Sequence, residues 1–185
     1  SQQKFRHNTG SLSSAASNSL KDLIDSISQE QIVNQELLLS LSFALRSFTN
    51  LHRFLELIPI LVTRLVGVEG SLVIPFQDDG SLWRDQLQMS PIDEEQTLFR
   101  KLSVLEESVK PGFGMQEKNI LLLDRLIQSH FDSSFVFSVS IVSRGRQRGR
   151  LYAFDNMENI FGSDIHRKHM QLVADLTGVA IENDV

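Results

Sequence analysis

The clearest pattern in the chain lies in the segment 135–142, where apolar residues recur at every second position. Side chains alternate between the two faces of a strand, so this period predicts a β-strand with one wholly apolar face. That face would carry Phe135, Phe137, Val139 and Ile141. The polar, glycine-bearing segment 144–149 then predicts a turn. We therefore predict a β-hairpin over Phe135–Asp155, whose second strand includes residues 151–154.

Helical spacing replaces this alternation after Ser163. Ser163 is a favourable N-cap, and Asp164 suits the positive end of a helix dipole. Mostly apolar residues then recur three or four positions apart, which predicts one long amphipathic helix. Its stripe would consist of Ile165, His169, Leu172, Val173, Leu176, Val179, Ala180 and Asn183.

The segment 50–89 changes from a helical to a strand-like pattern. Asn50 is a predicted N-cap for a helix over 51–66, and Gly67 would end that helix. Two strands are predicted after it, Val68–Phe76 and Ser81–Met89, joined by a strong turn signal.

Two further helices are predicted before the hairpin. In the first, Ser90 would be the N-cap and Pro91 the first helical residue, and the helix would end before Pro111. The second covers Gln116–His130, where apolar residues return at helical spacing. The whole pattern gives four clear strands and an α+β fold.

The N-terminal part predicts a linker followed by a signalling helix. Residues 1–18 are rich in Ser and Asn and poor in apolar residues, so we predict a flexible linker. Heptad spacing over 19–48 predicts a helix that pairs in parallel with a second copy, and Asn34 would set the register. The alternative is an exposed helix whose second half packs on the sheet. The predicted dimer interface consists of Leu20, Leu23, Ile27, Asn34, Leu37 and Leu41.

Three C-terminal segments, taken in order, resemble a GAF domain. They are Gly149–Phe154, Phe161–Asp164 and Leu172–Asn183. In that family a strand opening on Gly-x-Leu precedes a Phe-[Ser/Thr]-x-x-Asp-type loop, and a helix ending Ala-Ile-x-Asn closes the fold. Upstream, Leu51–Val66 resembles the family's second helix, and the two predicted strands resemble its first strand pair. The resemblance covers roughly residues 40–185.

The resemblance implies a profilin-like fold and a regulatory role. The sheet would be antiparallel, with four to six strands flanked by helices, and the long N- and C-terminal helices would share one face. GAF domains bind small molecules such as cyclic nucleotides, or serve as dimerisation modules. The segment before the chain's end is similar to the one that precedes a metal-dependent serine/threonine phosphatase domain in some bacterial stress regulators. A histidine kinase or a nucleotide cyclase is the alternative output domain.

Composition narrows the possible functions of the chain. The chain has 185 residues, enough for one domain with a real core, and it does not begin with Met. We expect it to be one domain of a longer polypeptide.

A net charge of −5 is unfavourable for a general nucleic-acid binder. No apolar run approaches the ~20 residues that a bilayer requires. We expect a protein without nucleic-acid partners or a membrane span.

The chain contains no cysteine. This excludes zinc–thiolate sites, a cysteine nucleophile and the thioether-linked bilin of photoreceptor GAF domains. It also excludes the cysteine-dependent reduction of oxidised methionine that some GAF-fold proteins catalyse. The composition is compatible with the reducing cytoplasm, where we expect the protein. No nucleotide-loop or hydrolase motif is present, and we expect no catalytic residues and no metal site.

Two groups of residues are candidates for binding. The first is a cluster of aromatic residues with nearby polar ones, which would line a cavity between the sheet and the middle helices. It consists of Phe76, Trp83, Arg84, Phe113, His130, Phe137, Ser138, Ser140, Tyr152 and Phe154. The second is a run of arginines that would form a positive ridge on one side of the hairpin: Arg144, Arg146, Arg148 and Arg150. The alternatives are ordinary core packing for the first group and a solvated hairpin for the second.

The sequence and its resemblance together therefore predict a non-catalytic, GAF-like sensory or regulatory domain over residues 19–185, with the signalling helix 19–48 at its start. It would dimerise and relay a small-molecule or partner signal to an output domain in the same polypeptide. The alternative is a dimerisation module whose interior is fully packed and binds no ligand.

Overall fold

The computed structural model describes residues 50–93, 95–157 and 162–183. Its helices are α1 (Leu51–Val62), α2 (Thr97–Ser108), α3 (Glu117–His130) and α4 (Asp164–Glu182). Its strands are β1 (Gly70–Pro75), β2 (Gln88–Ser90), β3 (Phe135–Ser143) and β4 (Arg146–Asp155). The predicted linker 1–18 and helix 19–48 lie outside the described residues, and so do the dimer-interface residues Leu20, Leu23, Ile27, Asn34, Leu37 and Leu41.

The strands form one antiparallel sheet in the order β2-β1-β4-β3. The central strands β1 and β4 pair with Leu72 opposite Tyr152, and β3 pairs with β4 with Val139 opposite Leu151. The predicted hairpin is confirmed over its whole length. Glycine and arginine form its turn, with both Arg144 and Gly145 at positive φ.

Helices cover both faces of the sheet. One face packs on α1 and α4 through a core that includes Val73, Leu151 and Ala153. The other packs on α2 and α3 through Leu72 and Tyr152. Alternate residues of β1 and β4 therefore enter opposite cores, as the period of two requires. The predicted α+β fold is confirmed, and α4 lies on the same face as α1.

Helix α1 begins where predicted, and the helical segment ends at Gly67 as predicted, but its last part is not α-helical. The side chain of Asn50 accepts a hydrogen bond from the backbone N–H of Arg53 at 3.2 Å, which caps the first turn. The α-helix ends at Val62 and continues as a π-helical turn, Thr63–Gly67. Gly67 ends this turn with a φ of +73°, a conformation that glycine adopts at little cost.

The predicted strand Ser81–Met89 is wrong over most of its length. Phe76 and Leu82 form a single bridge, and regular pairing resumes only in β2. Between them Arg84–Gln86 form a 3₁₀ turn. This turn leaves Arg84 and Asp85 exposed to water.

The predicted helix start at Ser90 and Pro91 is also wrong. Ser90 is the last residue of β2, and α2 begins at Thr97. The Asp93 carboxylate accepts a hydrogen bond from the backbone N–H of Leu98 at 2.8 Å, so it satisfies one free donor of the first helical turn. Gln96 precedes the helix in the left-handed region, with a φ of 55°.

None of the helices within the described ranges is both long and apolar enough to cross a membrane.

Candidate functional site

The structure divides the predicted aromatic cluster between the two faces of the sheet. Four of its aromatic residues are buried beneath α2 and α3: Phe76, Phe113, Tyr152 and Phe154. Phe76 and Phe113 stack with ring centroids 6.0 Å apart. Trp83 and Phe137 instead pack against the core beneath α1 and α4. The cluster therefore does not line one common cavity, and its buried members contribute to core packing.

The predicted polar contacts are also separated. Arg84 lies on the surface, where its guanidinium is 3.5 Å from the Glu106 carboxylate. His130 ends α3, and its Nδ1 is 3.0 Å from Nζ of Lys101. Burial, followed by the charge of Lys101, lowers the pKa of His130. Ser138 and Ser140, by contrast, belong to a polar network beneath α3.

This network is centred on Arg150 and Asp124. Nε and Nη2 of Arg150 donate to the two carboxylate oxygens of Asp124 at 3.1 and 2.7 Å. Its Nη1 and Nη2 also donate at 2.7 Å to the hydroxyls of Ser140 and Ser138. The Tyr152 hydroxyl donates to Asp124 at 2.5 Å. The guanidinium and carboxylate thus form a two-point pair, whose geometry is specific as well as strong.

The charged groups of this network are largely buried, so they affect the ionisation of the Tyr152 phenol. The Arg150 side chain is only 11% exposed and that of Asp124 is 26% exposed. Burial, and then the negative charge of Asp124, raise the pKa of Tyr152 well above its ordinary value. The phenol therefore stays protonated and remains a hydrogen-bond donor at neutral pH.

Sequence reasoning missed Asp124, although a signal for it exists. Asp124 follows Ile120 by four positions and precedes Ile127 by three, so all three share one face of α3. An acidic residue on an otherwise buried helical face needs a basic partner. Arg150 supplies that partner from β4.

The four hairpin arginines do not form the predicted ridge. A β-bulge explains why: Ile141 pairs with Gly149 but Val142 pairs with Gln147, so Arg148 is an extra residue in β4. Arg148 consequently points to the α4 face, where it contacts Glu182, while Arg150 contacts Asp124 on the α3 face. Both are buried. Only Arg144 and Arg146 remain exposed.

A cleft between β2 and α2 offers space that the aromatic cluster does not. Its volume is about 340 Å³. Apolar side chains line much of it: Leu87, Met89, Ile92, Leu98 and Phe99. Gln88, Asp93 and Gln96 add polar groups. The sequence did not predict this cleft, because the cleft forms where the predicted strand Ser81–Met89 is interrupted and where α2 begins later than predicted.

Within the ranges that the structure describes, no three His, Asp or Glu side chains are grouped closely enough to hold a metal ion.

The chain is similar in structure to a bacteriophytochrome from the photosynthetic bacterium R. palustris. The TM-score is 0.48, the sequence identity is 16%, and the match covers 81% of this chain. The chain spans 37% of the length of that protein. No protein-family model matches the sequence, and no curated protein matches it.

Proposed function

We propose that this chain is a sensory or regulatory domain that relays a signal through α4 to an output domain of the same polypeptide. The proposal rests mainly on strand β4, whose residues from Arg148 to Asp155 are all buried. Alternate residues of this strand contact the two helix layers: Tyr152 faces α3, and Ala153 lies in the core with α4. A change on the α2–α3 side therefore has a direct packing route to α4.

The cleft between β2 and α2 is the proposed ligand site. It is open, partly apolar, and has amide and carboxylate groups at its wall, which suits a small organic molecule with polar substituents. A bound ligand would favour one arrangement of α2 against the sheet, and β1 and β4 would pass the shift to α4. No residue of this chain can form a thioether bond to a bilin, because the chain contains no cysteine.

The proposed assembly is a homodimer in the cytoplasm. The heptad positions from Leu20 to Leu41 would pair two copies in parallel, next to α1 and α4. The proposed output domain is a protein serine/threonine phosphatase, and a histidine kinase or nucleotide cyclase is the alternative. The relay requires that the dimer adopt two packing arrangements whose balance the ligand changes.

A ligand for the cleft should raise the melting temperature of the chain. We would screen cyclic AMP, cyclic GMP and a panel of small metabolites by thermal shift. A ligand at about 100 times its Kd stabilises the folded state by ~2.7 kcal/mol. For a domain of this size that corresponds to a shift of roughly 5–10 °C.

A matched pair of variants tests where such a ligand binds. Met89→Trp would fill the cleft and abolish the shift, whereas Met157→Trp alters an exposed methionine outside it and should not. A shift that survives Met89→Trp would place the ligand elsewhere. If no compound shifts the melting temperature, the dense packing of Phe76 and Phe113 favours the second candidate function, a ligand-free dimerisation module.

The heptad positions should control assembly independently of the ligand. Replacing Leu20, Ile27 and Leu41 by Ser removes apolar side chains from the proposed seam and should convert a dimer into a monomer. Sedimentation equilibrium measures the change, and circular dichroism should show that residues 50–183 remain folded. A monomeric wild-type chain, or a triple variant that still dimerises, would contradict the proposed interface.

A further inference from the structure

The last turn of α4 is held on the sheet by a buried arginine. Arg148 is 2% exposed, and its Nη1 donates to Oε2 of Glu182, the last residue of α4, at 2.6 Å. Its Nη2 lies 3.2 Å from Oδ1 of Asp78 in the loop after β1. One guanidinium thus connects the bulge of β4, a loop and the end of α4.

The rest of the hairpin turn supports the same junction. Nη2 of Arg146 donates to the backbone carbonyl of Asp78 at 2.7 Å, and Nη1 of Arg144 lies 3.9 Å from the second carboxylate oxygen of Glu182. Glu182 therefore accepts from the buried Arg148 and is also close to the exposed Arg144. The arginines that sequence reasoning grouped as one ridge act at this junction, with Arg150 as the exception.

The backbone also fits closely at this end of α4. A Cβ atom on Gly178 would lie 2.8 Å from the carbonyl oxygen of Val142, at the bulge. Only glycine lets α4 approach the hairpin at this distance. The close approach and the ion pair occur one turn apart on α4, so both hold the same part of the helix.

A cleft adjoins one side of the guanidinium. Nε of Arg148 is buried and makes no hydrogen bond to any other protein group within residues 50–93, 95–157 and 162–183. This cleft has a volume of about 170 Å³ and is lined in part by Trp83 and Ile181.

We propose that Arg148 and Glu182 form a latch that holds the last turns of α4 on the sheet, and that opening this latch is the conformational change passed to the output domain. The proposal rests on the relay function proposed above and identifies the contact at which the relay acts. Breaking the ion pair removes the polar anchor of the last turn, which then keeps only the packing of Ala180 and Ile181. The middle of the helix stays docked through Val173, Ala174 and Leu176. The latch thus defines two states of one helix end.

Hydrogen exchange in the 185-residue chain tests the latch directly. Glu182→Gln weakens the pair while keeping a hydrogen-bond acceptor, and Arg148→Met removes it. Both should increase exchange of the backbone amides of residues 179–183 by about tenfold or more, since breaking a buried pair is costly. Exchange over 167–171 should remain at the wild-type rate. Asp175→Asn is the matched control, because it removes an exposed acid from the same helix.

The fluorescence of Trp83, the single tryptophan of the chain, provides a second measurement of latch opening. Trp83 and Arg148 line the same cleft, so opening the latch should admit water and shift Trp83 emission to longer wavelength. Unchanged exchange at 179–183 in both variants would overturn the latch. Equal acceleration throughout the domain would also overturn it, because Arg148 would then serve only global stability.

These results are independent of the relay itself. The exchange pattern is measured without ligand or output domain, so a failed latch leaves the relay proposal standing. A confirmed latch in a chain that shows neither ligand binding nor any effect on the output domain would instead reject the relay.

Discussion

Leu176→Asp is expected to unfold the domain. Leu176 lies on α4 and is only 1% exposed, in the core that α4 forms with α1 and the sheet. A carboxylate there must either stay charged without a partner or take up a proton, and both options cost several kcal/mol. The expected loss of at least about 4 kcal/mol approaches the whole stability of an ordinary domain.

A graded series makes this prediction measurable even if Leu176→Asp does not fold. Leu176→Ala should lose roughly 2–5 kcal/mol in chemical denaturation, because it leaves a cavity in the same core. Leu172→Asp should cost less than Leu176→Asp, because Leu172 is only partly buried. Lys168→Asp, on the exposed side of α4, should be close to neutral. A cooperative, wild-type-like transition in Leu176→Asp would show that α4 does not dock on the sheet.

The hairpin and α4 were predictable because their periods are long and uninterrupted. The alternation over 135–142 predicted β3, and the helical spacing predicted α4 over 19 residues. Each pattern specifies which face is buried. The core beneath α4 contains Ile141 of β3 and Val173, Leu176 and Ala180 of α4, whereas Phe135 and Asn183, which were predicted on these faces, are exposed. The predicted N-cap at Ser163 is also correct in position, although its side chain makes no capping hydrogen bond.

The segment 81–97 was poorly predicted because local geometry interrupts the patterns there. A 3₁₀ turn separates Leu82 from β2, and the Asp93 side chain sets the start of α2 from a loop. Neither the 3₁₀ turn nor the Asp93 hydrogen bond produces a periodic pattern of apolar residues in the sequence. The cleft between β2 and α2 depends on both, so it could not be predicted either.

The ion pairs of Arg148 and Arg150 could not be predicted from the sequence for a different reason. One extra residue in β4 places Arg148 and Arg150 on opposite faces, although they are two positions apart. A bulge depends on pairing with β3, which the sequence of β4 alone does not specify. The partners Asp124 and Glu182 lie on separate helices, 26 and 34 positions away in the chain.

Asp124→Ala is expected to destabilise the domain by about 3–5 kcal/mol, because it leaves the buried guanidinium of Arg150 without its counter-ion. Ser138→Ala should cost only about 1 kcal/mol, since Arg150 keeps its other acceptors. Asp175→Ala, which removes an exposed carboxylate, is the control and should be nearly neutral. Chemical denaturation measures all three.

A double substitution distinguishes the destabilisation caused by an unpaired buried charge from the net contribution of the Asp124–Arg150 ion pair to stability. Asp124→Leu combined with Arg150→Met replaces both partners by apolar groups and should recover much of the stability that Asp124→Ala loses. If Asp124→Ala proves as stable as Asp175→Ala, the pair contributes little and Arg150 must be stabilised by other contacts. No recovery in the double variant would show that the network is needed for packing as well as for charge balance.

The single tyrosine provides an independent spectroscopic check on the same network. Burial and the charge of Asp124 both raise the pKa of Tyr152, so removing that charge should lower it, while burial still keeps it above the ordinary value. Ultraviolet absorbance follows phenolate formation as pH rises, and Asp124→Ala should ionise at lower pH than the wild-type chain. Asp124→Asn should behave similarly, because it too removes the negative charge. An unchanged titration in both variants would mean that Asp124 does not act on the phenol, and the assigned hydrogen bond between them would be wrong.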